Sequence, residues 1–256
     1  MANKNLIKLE KMEEYYLNKF YHFMMFAKDE LFLGFKTANE IRADWTAKWN
    51  GSQFDKGAER IVYSFFNTQG FGTHNSSPVG SDMFFETGDA FIHIDLKTVV
   101  STNLGDGAYK HDIEPNQSSY QGPIPLRDRS GNTRVFNANL PFSYSVRGRK
   151  KPCLTYFIVI LFQKENFDIL SMYITCMPNG SLKGKYGGKV FSAAKGKNKN
   201  ARFHWKDCQE FELLDKSPND NKPKRIRVIH YDDKHNSSYK KKLTLIKQLY
   251  DEQNQQ

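Results

Sequence analysis

Two apolar stretches lie almost back to back in this chain, Leu154 to Phe162 and Phe167 to Thr175, with only Gln163, Lys164, Glu165 and Asn166 between them. Nearly every position in both is apolar or β-branched, so neither shows the alternation of a strand with one wet face. Two adjacent strands buried on both sides need covering layers above and below. That requirement predicts an α/β architecture with a mixed sheet whose centre holds these strands. The first run has nine residues, far short of the roughly 20 that span a bilayer. The start, Met1-Ala-Asn-Lys-Asn, has no charged region followed by an apolar one, so a cytoplasmic protein without membrane contact is expected.

Covering helices are legible at both ends. Leu6, Leu9, Met12, Tyr16, Phe20, Phe23 and Met24 recur at three- and four-residue steps and predict a helix from about Leu6 to Leu33. A second is expected over Thr37 to Trp49. Asp55 is an N-cap candidate for a third carrying Ala58, Ile61, Val62, Phe65 and Phe66, and a last helix is expected from about Tyr239 to Glu252. With 256 residues, 39% hydrophobic and 14% aromatic, the chain can bury one large core. We read residues 1–256 as a single domain, with a helical N-terminal part over 1–50 and a core over 55–176. Cys153, Cys176 and Cys208 are an odd number without CxxC spacing, which points to reduced, mostly buried thiols and no structural zinc.

The residues that bear chemistry sit in Asp82-Met-Phe-Phe-Glu-Thr-Gly-Asp-Ala-Phe-Ile-His-Ile-Asp95-Leu-Lys97-Thr98. Met83 to Phe85 and Ala90 to Lys97 read as two strands joined by the turn Thr87-Gly88-Asp89. Alternation sends Ile92, Ile94 and Leu96 to one face and His93, Asp95 and Lys97 to the other. Across such a hairpin Asp82 comes within reach of Asp95, because paired strands lie roughly 4.8 Å apart. Two converging carboxylates suit a hard divalent ion with its waters, and a lysine beside them can orient a water or stabilise charge on a phosphate. His74 and His93 are expected to be structural.

In these residues the chain resembles the PD-(D/E)xK nuclease superfamily, and within it the type II restriction endonucleases. Asp82 stands where the family has its first Asp, Asp95 at the second acid and Lys97 at the Lys; Ser81 departs from the Pro that usually precedes the first Asp. Glu59 matches the acid that the family often carries on a helix upstream of the hairpin. The resemblance covers about Asp55 to Thr98. It implies a restriction-endonuclease-like fold, a mixed β-sheet flanked by helices. It also implies Asp82, Asp95, Lys97 and Glu59 as catalytic residues, and Asp82 and Asp95 as ligands of Mg²⁺, for which Mn²⁺ substitutes. The implied activity is site-specific hydrolysis of double-stranded DNA leaving 5′-phosphates, by a homodimer whose candidate dimer element is the Leu6 to Leu33 helix.

Charge points to the same partner. The formal net charge is +10 and the pI about 9.3. Residues 177–206 carry eight basic residues and no acid. This segment is expected to be a DNA-contacting loop in which Lys183, Lys185, Lys195, Lys197, Lys199 and Arg202 meet phosphates. Arg147 to Lys151 and Lys222 to Arg227 are expected to extend the positive surface. The Gly- and Asn-rich region from Asn103 to Val146 is expected as long loops with short strands, and Asn103 to Arg149 offers Asn116, Gln117, Arg127, Arg129, Asn132, Arg134, Asn137 and Asn139 for reading bases. Two other readings share parts of this pattern: a repair or recombination nuclease of the same superfamily, and a DNA-binding protein without catalysis.

Overall fold

The computed structural model describes residues 2–36, 58, 61–66, 73–74, 82–101, 112–113, 119, 123–127, 130–137, 141–163, 166, 168–182, 191–192, 202–204, 225–233 and 240–255. Its strands, in chain order, are β1 (Thr73–His74), β2 (Met83–Glu86), β3 (Phe91–Val100), β4 (Asp112–Ile113), β5 (Pro123–Arg127) and β6 (Thr133–Asn137). They continue with β7 (Ser143–Val146), β8 (Arg149–Phe162), β9 (Ile169–Met177), β10 (Phe191–Ser192), β11 (Arg202–His204) and β12 (Ile226–Tyr231). The N-terminal helix spans Ala2–Phe26 and resumes over 28–36; the C-terminal helix spans Lys240–Asn254. Residues 61–66 are also helical, while the expected Thr37 to Trp49 helix, the Asp55 cap and Cys208 lie outside the described residues.

The two apolar runs become β8, which starts earlier than expected, and β9, which is shifted two residues towards the C-terminus, with residues 153–162 and 169–177 buried throughout. The main sheet has the order β1-β2-β3-β8-β9-β12, with β7 paired to the beginning of β8. Among the described strands only β3 and β8 run parallel, in register from Phe91 opposite Cys153 to Val100 opposite Phe162. A parallel pair cannot be joined by a tight turn, so the chain between them carries β4 to β7.

Each face has its own lining. Ile92, Ile94 and Leu96 from β3 join Leu154, Tyr156, Ile158 and Ile160 from β8 and pack against Tyr16, Leu17, Phe20 and Met24 of the N-terminal helix. The spacing of those helical residues is what the sequence period requires. At the far edge, the Gln253 side chain accepts from Val228 N at 2.8 Å and donates to Val228 O at 3.2 Å. That amide takes the place of a neighbouring strand at one point of the β12 edge.

The region 103–146 holds short strands, as expected. Two basic segments behave differently from expectation. Within 177–206, β10 and β11 form a three-stranded sheet with β4, so this segment is partly strand. Phe191 and Phe203 sit opposite each other there, a pairing that the surrounding lysines obscured. Residues 225–231 are not an extension of the positive surface either. Arg225 is fully buried; it donates to Glu10 Oε1 at 3.0 Å and to Glu13 Oε2 at 2.7 Å. Arg227 is half-buried and donates to Asn18 Oδ1 at 3.1 Å. Their acidic and amide partners all lie on the N-terminal helix, far away in sequence.

Glu13 also accepts from Asn179 N at 2.7 Å, and burial pushes its carboxyl up while Arg225 pulls it down. Removing the cation would strand two buried carboxyls, a change that costs about 3–5 kcal/mol. Arg225→Met is therefore expected to lower the unfolding free energy by that amount in urea titrations. A decrease below about 1 kcal/mol would show that the cluster is not what fastens this helix to β12.

Candidate active site

The β2–β3 hairpin forms as the turn residues dictate. Thr87 N donates to Ala90 O at 2.9 Å, and Thr87 Oγ1 accepts from Ala90 N at 3.0 Å. Two outside groups fasten it. Tyr16 OH donates to Asp89 Oδ1 at 2.6 Å, and Lys151 Nζ donates to Glu86 Oε1 at 2.8 Å and Thr87 O at 2.7 Å. From sequence alone Tyr16 is a core residue and Lys151 part of an open positive surface. The hydroxyl on an otherwise apolar helix face was the available signal for the first.

Met83 pairs with Ile94 and Phe84 with His93, so Asp82 enters the strand directly opposite Asp95. Asp82 Oδ2 accepts from Leu96 N at 2.7 Å. Lys97 Nζ stands 2.8 Å from Asp95 Oδ2 and 5.8 Å from the centre of the Phe157 ring. The three expected residues are thus brought together. The polar face of β3 is covered, with His93 1% and Asp95 2% exposed. Chain from β7 and from residue 119 lies over it, through Tyr144 against His93 and Ser119 against Thr155.

Burial pushes the Asp95 carboxyl well above its ordinary range, and the hydrogen bond to Asp82 adds to this while Lys97 opposes it. Two acids facing a single ammonium leave a deficit of positive charge at a site with oxygen donors only. A hard divalent cation fits that donor set, with waters completing its shell. Among the described residues no third His, Cys, Asp or Glu joins them, which separates His93 from the acidic pair.

His93 is instead part of an aromatic cluster. Its ring lies 4.8 Å from Phe84 and 6.1 Å from Tyr144, with Nδ1 3.5 Å from Thr155 Oγ1. This agrees with a structural histidine. Glu59, Asn116, Gln117, Lys183, Lys185, Lys195, Lys197 and Lys199 lie outside the described residues, and Arg202 is described only through its backbone in β11.

Burial holds the His93 imidazole down, to about 3. Above about pH 6.5 the group is neutral in folded and unfolded chains alike and contributes no pH dependence. Below that, the unfolded chain takes up a proton that the folded one refuses, so stability falls by about 1.4 kcal/mol per pH unit. Asp95 acts in the opposite sense, so the comparison must be with a variant. Urea midpoints measured from about pH 7 down to 5 are expected to fall more steeply for the wild type than for His93→Gln; parallel curves would contradict a buried neutral imidazole.

Residues 5–166 match the family model described as type II restriction enzyme MwoI, N-terminal domain, and residues 169–231 match that of the MwoI central domain. Two solved structures share the fold. The restriction endonuclease BglI bound to its DNA recognition sequence aligns with a TM-score of 0.61 at 17% identity, over 79% of this chain and 90% of its own. The tetrameric restriction endonuclease SfiI bound to cognate DNA aligns with a TM-score of 0.62 at 15% identity, over 90% of this chain and 86% of its own. A search of curated proteins gave no match. Among the described residues no helix is long and apolar enough to cross a membrane.

Proposed function

The chain belongs to the family of the type II restriction enzyme MwoI and is a site-specific deoxyribonuclease, and from that premise we propose that Asp82, Asp95 and Lys97 are its catalytic residues. The observation that carries this is the meeting of the two acids across the hairpin with Lys97 Nζ 2.8 Å from Asp95. Asp82 and Asp95 would hold Mg²⁺, with Mn²⁺ as a substitute. When bound, that ion supplies neutralisation of the scissile phosphate and a more acidic water.

Asp95 fixes the Lys97 ammonium, which orients the attacking water and stabilises charge on a non-bridging phosphate oxygen. Asp82, anchored on Leu96 N, keeps its carboxylate opposite Asp95. The water oxygen bonds to phosphorus and loses its proton to solvent; the bond from phosphorus to the 3′ oxygen breaks, and that oxygen takes up a proton. The products are a 5′-phosphate and a 3′-hydroxyl. Glu59 is proposed as the auxiliary acid.

The substrate is double-stranded DNA, cut by a homodimer at a symmetric sequence, since symmetric sites suit symmetric dimers. The family assignment leaves no support for the repair, recombination or binding-only readings.

The test is digestion of a long plasmid with Mg²⁺, Mn²⁺, Ca²⁺ or EDTA. Discrete bands are expected with Mg²⁺ and Mn²⁺, none with EDTA, and binding without cutting in Ca²⁺. Asp82→Ala, Asp95→Ala and Lys97→Ala are each expected to abolish bands while DNA binding survives. Ordinary turnover by Lys97→Ala would falsify its assignment. Mg²⁺ is also expected to raise the melting temperature of the wild type and not of Asp82→Asn, a readout independent of cleavage.

Lys183, Lys185, Lys195, Lys197, Lys199 and Arg202 are proposed to neutralise phosphates, and Asn116 and Gln117 to read bases. Replacing Lys195, Lys197 and Lys199 with Ala is expected to weaken cognate and unrelated DNA alike. The slope of log affinity against log salt should flatten by roughly 0.9 for each phosphate left without its lysine. An unchanged slope with cognate affinity alone reduced would make the segment a sequence reader instead.

A further inference from the structure

The pair β5–β6 stands apart from the main sheet as a two-stranded ribbon, in register from Pro123 opposite Asn137 to Arg127 opposite Thr133. Both of its feet are pinned beside the candidate active site. Ahead of β5, Ser119 N donates to Thr155 Oγ1 at 2.9 Å, and Ser119 O accepts from Gly180 N at 2.9 Å. Beyond β6, Phe142 O accepts from Cys153 N and from Asn179 Nδ2, both at 2.9 Å. Thr155 sits opposite His93, and its hydroxyl lies 3.5 Å from that ring. Since alternate residues of a strand share a face, Thr155 and the ribbon's feet lie on the Asp95 side of the sheet. Four residues of chain from Ser119 to Pro123 and five from Asn137 to Phe142 limit the tether to roughly 14–18 Å.

One face of the ribbon is open. Pro123, Pro125, Arg127, Thr133 and Val135 are exposed, Val135 by 62%. Prolines at 123 and 125 remove two backbone donors from β5, which opposes docking by strand addition and leaves recognition to the side chains. Those side chains are one arginine, one threonine and three apolar groups, Pro123 and the pair Pro125 opposite Val135. A surface that gripped phosphates would carry several lysines; an arginine beside apolar groups suits base edges, a guanine and a thymine methyl.

The arginine is also pre-set. Gly131, at φ +84, turns its carbonyl so that Arg127 Nε donates to it at 3.1 Å. A non-glycine residue in that conformation is strained. The bond occupies Nε, and among the described residues neither η nitrogen has a partner. Those two nitrogens form the fork that matches guanine O6 and N7. A ribbon of five-residue arms is roughly 17 Å long, and two strands fit a major groove about 12 Å wide. Adjoining β5 is β10, which lies within the basic stretch of the sequence.

We infer that the β5–β6 ribbon enters the DNA major groove and that Arg127 selects a guanine in the recognition sequence. This rests on the restriction-enzyme reading of the site and names its specificity element.

The experiment is digestion of genomic DNA with sequencing of the fragment ends, on the wild type, Arg127→Ala, Arg127→Lys and Val135→Ser. The wild type gives one end sequence. Arg127→Ala is expected to cut that sequence roughly 5- to 150-fold more slowly and to lose a guanine requirement at one or more positions. Arg127→Lys does not restore it, because an ammonium lacks the fork. Affinity for unrelated DNA, its salt slope and the melting temperature stay at wild-type values.

An unchanged end profile and rate would overturn the inference. So would equal weakening of cognate and unrelated affinity with a shallower salt slope, which marks an arginine on a phosphate, or a change of mass in sedimentation, which marks an interface between protein copies. Wild-type ends without a defined sequence would instead remove the proposed function itself, and the inference with it.

Discussion

A strand that is buried on both faces can carry ionisable groups only if they satisfy one another, and β3 is such a strand. Ten consecutive parallel pairs with β8 leave its backbone no freedom to turn Asp95 towards water. Its carboxyl, 2% exposed, therefore depends on Lys97 and Asp82, and Asp82 in turn depends on Leu96 N. Each group is held by another that is equally constrained, so the arrangement is rigid before any substrate arrives. The same burial makes it unfavourable: two acids against one ammonium in a dry environment would be stabilised by a further cation, and the core around them offsets the cost of burying them.

The N-terminal helix does more than cover the sheet. Its apolar stripe packs on β3 and β8, while Tyr16 holds the turn of the β2–β3 hairpin and Glu10 and Glu13 hold Arg225 at the entry to β12. Tyr156 OH, from the middle of β8, donates to Glu13 O at 2.9 Å. One helix thereby sets the position of the β2–β3 hairpin and of the β12 edge relative to β8 at the centre. Apolar packing alone tolerates sliding of a helix along a sheet, whereas directional bonds at three separate points do not.

Legibility in the sequence followed separation along the chain. The hairpin and its three residues span only Asp82 to Lys97, so period-two alternation and one turn were enough to bring them together. The buried runs of β8 and β9 were equally plain, and so were the terminal helices. What failed involved distant partners. Arg225 read as surface because an arginine lacks any mark of burial until its acids, 212 and 215 residues away, are known. β12 is hidden in the same way, since basic residues at its start mask the apolar Ile226, Val228, Ile229 and Tyr231. The covered polar face of β3 was also invisible, because the chain that covers it comes from the irregular region beyond residue 103, where no period announces what packs on what.

Placing the ribbon's feet and the acids on the same pair of strands has a mechanical consequence for sequence-specific cutting. Cys153 and Thr155 anchor the feet, and on β8 the partners of Asp95 and Lys97 are Phe157 and Val159. The step from Thr155 to Phe157 is two residues, roughly 6.6 Å along a strand that cannot stretch. An enzyme that reads bases in the groove and cuts the backbone elsewhere must keep those two points at a constant offset, or it would cut at a variable distance from what it reads. With both feet bonded to the buried strand that pairs with Asp95, the offset of such an enzyme could vary only within the reach of the short segments between feet and ribbon, roughly 14–18 Å.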